Sequence, residues 1–578
     1  AAAAPVHPFH GCRDCAFPHS RRQPDFNPLT PMMNDIRRSI LWIIFAFSLI
    51  LLWDQWQIHN GRKATFFPTS TPPAATASAP AGSASAVAGT AVAGAAGAAA
   101  PAGAVAGQRI DMTTDVYQLT FDSNGGSLIG AQLLKYPELS NDPTSTPIHL
   151  LQNNQSYQYM VQSGLSGGTL PSHVTPMTLV TPERSLADGQ DTLVVRFESA
   201  PQGGVKLAKT YTFKRGSYAI DVQHEVINTG SVPVAPQLYK QQVRDGSKGP
   251  GGNFFYSTFT GPAFYSDEGK FQKVDFSSID KGKADYQKHA PDGYVAMVQH
   301  YFASAWLPPE GTARENYVRK AENLYAAGQL FNVGEVAPGT SKTLGSTLYV
   351  GPQEEKIMQA LSPNFDLVKD YGWLTILARP LYWLLTFLYG FLHNWGWAIV
   401  ALVVLLKAAF FWLNHKAYAS MAKMKAINPK VQELRTRYKD EPQKIQQEMM
   451  RIYREEKVNP LGGCLPILVQ IPVFIALYWV LLSSIEMRGA PWILWVKDLS
   501  TPDPYFILPI LMTASSLLQV WLNPTPPDPM QAKMMWAMPL LFSVMFFFFP
   551  AGLVLYWLTN NILSIAQQWF INRKLGVS

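Results

Sequence analysis

The sequence predicts a polytopic α-helical membrane protein that carries one large β domain. Of its 578 residues, 47% are apolar and only 15% are charged, against about 25% charged residues in a typical soluble protein. The apolar residues gather in runs that are candidate membrane spans, one early in the chain and five late. A long region of short, alternating apolar and polar runs separates the two groups. This pattern excludes a wholly disordered chain and disfavours an ordinary cytosolic enzyme.

The segments before the β region are predicted to be a tail, a membrane anchor and a linker. Residues 1–32 lack an apolar period and are expected to form a disordered extension; Cys12, Cys15 and nearby histidines could bind a metal, but a flexible tail without metal is favoured. Residues 33–58 hold an apolar run behind two arginines with no small-residue cleavage site after it, which predicts a retained anchor. Residues 59–108 are rich in Ala, Gly and Pro and predict a flexible linker.

Residues 109–350 are predicted to form a large β-sandwich domain. Runs such as Thr192 to Phe197 and Lys209 to Phe213 have the alternation of half-buried strands, and Gly, Pro and Asn punctuate them. The three cysteines of the chain all lie outside this region. The sandwich must therefore be stabilised by its apolar core without a disulfide.

From residue 351 onwards the chain is predicted to return to the membrane. Residues 351–394 hold an aromatic-rich apolar stretch interrupted by Arg379 and Pro380, which favours an amphipathic helix in the membrane interface. Residues 395–578 are predicted to be a core of five transmembrane helices, with a helical hairpin at 415–460. The five candidate spans are 395–413, 461–482, 505–522, 534–549 and 553–570.

The orientation follows from the distribution of basic residues. The hairpin carries eleven Lys and Arg residues against six Asp and Glu residues, and short loops with such an excess stay in the cytoplasm. Arg37 and Arg38 place the N-terminus on the same side, and six spans return the C-terminus to it. The β domain is then expected outside the cytoplasm.

The sequence contains no recognisable catalytic motif. A phosphate-binding loop, a His-Glu-x-x-His pair and a Gly-x-Ser-x-Gly elbow are all missing from the 578 residues. Neither an enzymatic activity nor a cofactor is expected.

The most informative residue is Lys407, which lies within the first of the late spans. A cation at the centre of a bilayer costs on the order of 2.5 kcal/mol or more, and it usually faces a bundle interior or a wet cavity. A lysine near a helix end can instead reach the lipid headgroups, and position alone leaves the two interpretations about equal. Polar residues in neighbouring spans, Gln470, Gln519 and Thr559, favour a wet recess open to the cytoplasm.

Such a recess suggests a function in moving polypeptide into the membrane. A partial water path shortens the apolar barrier that the polar flank of a nascent membrane segment must cross, and a cation attracts acidic residues in that flank. In the hairpin, Met421, Met424, Met449 and Met450 offer adaptable apolar contacts to such a segment. They could equally pack the two hairpin helices together, and the two roles are compatible.

Several motifs in the late part of the chain resemble the YidC family of membrane-protein insertases, in its Gram-negative form. They occur in the family's order, and the similarity covers nearly the whole chain from Met33, including KTYTFKRG at 209–216 in the β region. The motifs are Met421-Ala-Lys-Met424, Gln447-Glu-Met-Met450, EKVNPLGGC at 456–464, Asp528-Pro-Met-Gln531 and PAGLVLY at 550–556.

The resemblance implies a specific fold and activity. It implies five core helices around a hydrophilic groove that is open to the cytoplasm and lipid, a cytoplasmic hairpin and a periplasmic β-super-sandwich, in the bacterial inner membrane. Nascent membrane proteins are inserted alone or with the Sec translocon and its accessory subunits. The ribosome, the signal recognition pathway and membrane lipids are further implied partners, without nucleic-acid specificity, metal or cofactor.

The resemblance also assigns the groove residues. The positive charge of the family's groove is usually Arg and aligns with Lys407, which keeps the charge but lacks the planar, bidentate fork. Tyr556 and Trp557 are similar to an aromatic pair that contacts substrate on the last helix.

Two other functions compete with an insertase. A polytopic small-solute transporter fits several spans and one buried cation, but repeated halves and coupling acids are not visible in the sequence. The β domain could also be a carbohydrate-active enzyme, an idea that rests on fold analogy alone.

Overall fold

The computed structural model of the protein describes residues 107–140, 142, 144–247, 258–439, 441–456, 465–523 and 529–574. The predicted tail, the predicted anchor and nearly all of the predicted linker lie outside these residues. The predictions for those three segments therefore stay predictions.

The β domain is built from two antiparallel nine-stranded sheets. In the first sheet, five strands follow chain order and are continued by four strands from later in the chain: β1-β2-β3-β4-β5-β10-β17-β16-β13. The second sheet has the order β12-β11-β14-β15-β18-β9-β8-β7-β6. The strands are β1 (Arg109–Thr113), β2 (Tyr117–Asp122), β3 (Ser127–Pro137), β4 (Pro147–Asn153), β5 (Gln158–Ser166), β6 (Met177–Leu179), β7 (Thr192–Ser199), β8 (Val205–Lys214), β9 (Ala219–Asn228), β10 (Gln237–Asp245), β11 (Gly261–Tyr265), β12 (Gln272–Lys273), β13 (His289–Ala290), β14 (Tyr294–Gln299), β15 (Phe302–Leu307), β16 (Arg314–Ala321), β17 (Leu324–Asn332) and β18 (Ser341–Pro352).

The core of the sandwich follows from the alternation along its strands. In β7, for example, Leu193, Val195 and Phe197 are buried while the residues between them are not. Phe197 meets Phe121 of β2 across the core, with ring centroids 5.4 Å apart. Successive side chains of a strand point to opposite faces, so this alternation buries one face of each sheet against the other. The predicted large β sandwich is confirmed.

The remainder of the described chain is helical. Within the described residues, a short α-helix lies inside the β domain, and nine α-helices follow it between residues 355 and 574. They are α1 (Phe276–Asp280), α2 (Glu355–Leu361), α3 (Thr375–Leu392), α4 (Trp395–Ala409), α5 (Phe411–Arg437), α6 (Pro442–Glu455), α7 (Leu465–Ser483), α8 (Ile507–Leu522), α9 (Pro529–Phe546) and α10 (Ala551–Lys574).

Few of the described helices are long and apolar enough to cross a membrane on their own. The segment 372–392 is, and it contains α3, which the sequence assigns to the interface. The pair α4 and α5, bent by 69° at its junction, is a second if it counts as one span. Apolar parts of α7, α8 and α9 are shorter. The predicted count of five core spans and the interfacial position of α3 stay predictions.

Helix α10 is the centre of the helical core. It packs against α4, α5 and α8, while α3 packs against α4 and α7. The first two N–H groups of α10 have carbonyl partners from the connection between α7 and α8, since Ala551 donates to Thr501 at 2.7 Å and Gly552 to Leu499 at 2.9 Å. Groups of this kind have no partner inside a helix, so this connection fixes where α10 begins.

Candidate functional site

A cavity lies between α4, α5, α7 and α10. Its empty volume is about 400 Å³, including the part that is open to solvent. Its wall is mostly apolar and aromatic, with four polar side chains and no Asp or Glu among its described lining residues. The lining residues are Val403, Leu406, Lys407, Phe410, Leu413, Asn414, Val469, Gln470, Val473, Tyr556 and Asn560.

Lys407 places its ammonium group at this cavity. It lies in the last turn of α4, immediately before the 69° bend into α5. Its Nζ donates to Oγ of Ser564 on α10 at 2.7 Å. The Ser564 hydroxyl in turn donates to the carbonyl of Asn560 at 2.7 Å. The side chain of Lys407 therefore points across to a neighbouring helix.

Gln470 and Tyr556 also belong to the cavity, as the sequence predicts. Gln470 of α7 donates to the side-chain oxygen of Asn560 on α10, which links two walls. Tyr556 is buried and stacks on Phe474, with ring centroids 6.0 Å apart. One wall of the cavity is thus a stripe of α10.

Three other sequence-predicted groove residues are not among the cavity's lining. Trp557 packs between Phe474 and Phe546, with ring centroids 4.4 and 5.0 Å away. Thr559 donates to the carbonyl of Leu555, four residues earlier in its own helix, at 2.8 Å. Gln519 is half-buried on α8. Trp557 and Thr559 therefore lie beside the lining stripe of α10, and α8, which carries Gln519, contributes none of the described lining residues.

Sequence reasoning missed two members of the site, Ser564 and Asn414. Ser564 is buried and holds the Lys407 ammonium group. The signal for it was present, because Tyr556, Asn560 and Ser564 follow one another at intervals of four and so share a helix face. Asn414 is buried in the first turn of α5, and its place depends on the bend between α4 and α5.

The hairpin methionines divide between two environments. Met424 and Met449 pack against the buried pair Ile427 and Val431, which joins α5 to α6. Met450 is exposed instead. It lines an open concave surface on α6 with Gln443, Gln446, Gln447, Arg451 and Arg454. Met424 and Met449 thus stabilise the hairpin, and Met450 is available for contact.

Both the β domain and the helical part of the chain are similar to known proteins. Residues 109–384 match the family model of the YidC periplasmic domain, and residues 387–577 match that of the 60Kd inner membrane protein. The membrane protein insertase YidC of Bordetella parapertussis is 54% identical over 557 residues, which cover 94% of this chain and 98% of the relative. The insertase of Cupriavidus necator is 53% identical over 551 residues, with the same two shares.

One solved structure is similar to this chain at a lower sequence identity. The crystal structure of an active YidC insertase with its first transmembrane domain resolved is 19% identical, with a TM-score of 0.38 over 80% of this chain and 92% of that chain.

The two matches define a class of inner membrane protein that joins a periplasmic domain to a helical membrane part. More particularly, the chain belongs to the YidC family of membrane protein insertases. Its function is membrane protein insertion rather than an enzymatic reaction, and the transporter alternative is not favoured.

Proposed function

We propose that the cavity around Lys407 is the groove through which this protein inserts nascent proteins into the inner membrane. The observation that carries the proposal is the partner of the lysine. Its ammonium group meets a neutral hydroxyl, Ser564 Oγ, and no carboxylate lines the described cavity. A cation that is poorly compensated by the protein attracts an anion from outside. Acidic residues in the polar flank of a substrate supply that anion.

The surroundings of the lysine suit the apolar part of the same substrate. Leu406 and Phe410 line the cavity beside Lys407, and Phe411 and Trp412 are exposed just beyond the bend. A nascent segment can therefore place its acidic flank near Lys407 while its apolar stretch stays on apolar and aromatic surface. Burying that stretch gives roughly 25 cal/mol per Å².

Charge reversal tests the mechanism most directly. We expect Lys407→Glu to abolish insertion of substrates with acidic outer segments, because the groove then repels them. Lys407→Arg keeps the charge and should keep activity. The measurement is complementation and insertion in a depletion strain, and Lys416→Glu, on an exposed lysine stacked 3.8 Å above Trp412, is the matched control. Full activity of Lys407→Glu would rule out the charged groove.

Crosslinking maps the path of the substrate. A photoreactive group at position 407 or 470 should label a stalled nascent chain strongly, since both side chains line the cavity. A group at position 557 should label it weakly, because Trp557 packs between two phenylalanines. Stronger labelling from 557 than from 407 would place the path on another face of α10.

The remaining partners and the topology belong to the same proposal. The β domain lies in the periplasm, both termini lie in the cytoplasm, and insertion occurs alone or with the Sec translocon. The open face of α6 with Met450, Arg451 and Arg454 is basic and suits the ribosome and the signal recognition pathway. Membrane lipids cover the exposed aromatic row Trp383, Phe387 and Phe391 of α3.

A further inference from the structure

Two segments of the chain cross side by side from the core of the β sandwich to the core of the helices. In the first crossing, Val368 belongs to the sandwich core and Tyr371 to the helical core. In the second, Ile485 belongs to the sandwich core and Met487 to the helical core. Each crossing takes only two or three residues, so the polar residues between the two cores are drawn inward: Lys369 is buried, and Glu486 keeps only 18% of its side-chain surface exposed.

One residue from each crossing contributes to an ion pair in which the lysine is buried and the glutamate is largely buried. Lys369 has no exposed side-chain surface, and its Nζ lies 3.0 Å from a carboxylate oxygen of Glu486. The hydroxyl of Tyr382 on α3 donates to the same carboxylate at 2.6 Å. The Lys369 ammonium group also lies 4.1 Å from the ring centroid of Tyr382. Removing one partner of a buried pair leaves a costly uncompensated charge, so this contact resists opening.

The second crossing begins a connection that covers one end of the helical core. We call residues 485–501 the end cap. The end cap contacts α10 through the two carbonyls, of Leu499 and Thr501, that accept from the first N–H groups of that helix. It also contacts the start of α4, where Asn394 donates to the carbonyl of Trp492 at 3.1 Å. The rings of Trp397 and Trp492 lie 5.7 Å apart. The end cap therefore lies over the ends of α4 and α10 that are remote from the hairpin.

We propose that the ion pair between Lys369 and Glu486 is a latch that keeps the end cap closed over α4 and α10. The latch couples the chain that leaves the β domain to the end cap, because the pair joins the two crossings directly. When it is broken, the end cap lifts and the helix ends beneath it become accessible. The inference does not depend on the substrate path through the groove, which lies beside the other end of α4.

Thiol labelling tests the latch in the full-length protein. Leu499 belongs to the end cap and is buried against the helical core, so Leu499→Cys, with the three native cysteines replaced by serine, reacts slowly with a maleimide when the cap is closed. We expect Glu486→Gln and Lys369→Met each to raise the labelling rate about tenfold, since each leaves one charge unpaired. The exchanged pair Lys369→Glu with Glu486→Lys should return the rate to within about threefold of the original.

Two further variants make the result decisive. Lys214→Met breaks an exposed ion pair with Asp221 in the sandwich and should leave the labelling rate unchanged. Tyr382→Phe keeps both charges and removes only one hydrogen bond to Glu486, so a rise of about threefold is expected even if Glu486→Gln does not fold. Unchanged labelling in Tyr382→Phe and in every folded charge variant would overturn the latch. Because labelling needs no substrate, failure of the groove mechanism leaves this outcome unaffected.

Discussion

The β sandwich and the helical core both take lysine side chains out of water, but they surround the ammonium groups differently. In the sandwich, Lys209 is fully buried and donates to the carbonyls of Gly125 and Ser163 at 2.6 and 2.7 Å. Burial lowers the pKa of Lys209 to about 7. In the helical core, Lys407 has one hydroxyl partner and lies at a cavity.

A second lysine of the sandwich is also enclosed, although its polar partner is a hydroxyl. Lys240 is buried, donates to the hydroxyl of Ser346 at 2.9 Å and lies 4.6 Å from the ring centroid of Phe331. Burial, assisted by the nearby charge of Arg314, lowers the pKa of Lys240 to about 7. The closed core thus leaves no space for a ligand beside its lysines, whereas the cavity leaves space beside the Lys407 ammonium group. The packing around a lysine, and not the residue type, decides which role it has.

The largest effect is expected from a substitution that creates a cavity in the core of the sandwich. Phe121 is fully buried and packs against Phe197 and Tyr211, with ring centroids 5.4 and 5.0 Å away. Phe121→Ala should lower the free energy of unfolding of the β domain by about 3–5 kcal/mol, with a fall of about 10 °C in its melting temperature. Thermal unfolding of the full-length protein measures this. Groove crosslinking from position 407 should persist below the transition, and its loss would show that the two regions do not differ as described.

The next largest effect is a gain in stability of the β domain that depends on pH. Burial lowers the pKa of Lys240 from its ordinary 10.5 to about 7 in the folded chain. Between these values the unfolded chain holds a proton that the folded chain has released, so stability rises with pH over that window. Below it, the sandwich bears the full cost of a buried cation.

Lys240→Met removes that cost while keeping most of the side-chain volume. We expect the melting temperature of the β domain to rise by about 5 °C near pH 6, and the gain to shrink as the pH approaches 10. A gain that is equal at all pH values would indicate that better packing, and not the removed charge, is responsible.

A smaller loss is expected at a polar contact in the helical core. The side-chain amide of Asn561 on α10 donates to the hydroxyls of Ser515 and Ser516 on α8 at 3.2 and 2.9 Å. Hydrogen bonds between membrane helices average about 0.6 kcal/mol, so Asn561→Leu should lower the stability of the core by about 1 kcal/mol. Resistance of the core to proteolysis at rising temperature reports the change. Ser515→Ala removes the longer of the two bonds between the helices, together with a bond from Ser515 to the carbonyl of Met512 within α8, and should have the smaller effect of the two.

The smallest effect is expected on the outer surface of the sandwich. Lys214 and Asp221 form an ion pair at 2.7 Å in which both side chains are about half exposed. Such pairs contribute about 0–1 kcal/mol. Lys214→Met should therefore shift the melting temperature by no more than about 2 °C at any pH between 6 and 10. A shift above the roughly 5 °C expected for Lys240→Met would mean that surface charge contributes more to this domain than its buried lysines.

Local pattern was sufficient for the sandwich and for the central part of the site. Alternation within strands such as β7 depends only on neighbouring residues, so residues 109–350 could be recognised as a β domain without knowledge of the strand order. Lys407 and Gln470 could be chosen because each is a polar group in an apolar helix, Tyr556 was assigned by the family resemblance, and all three reach the cavity. Helical spacing alone did not reveal that Trp557 and Thr559 face away from it, since that depends on which helices surround α10.

The sequence by itself therefore determined the membrane class, the β domain, the basic hairpin and the lysine at the cavity, because composition or a repeat of a few residues indicates each of them. Only the tertiary structure decided which groups meet. Ser564 reaches Lys407 across 157 positions of sequence, and Lys369 reaches Glu486 across 117. Contacts of this kind depend on the bend between α4 and α5 and on the packing of whole helices and sheets, to which every part of the chain contributes.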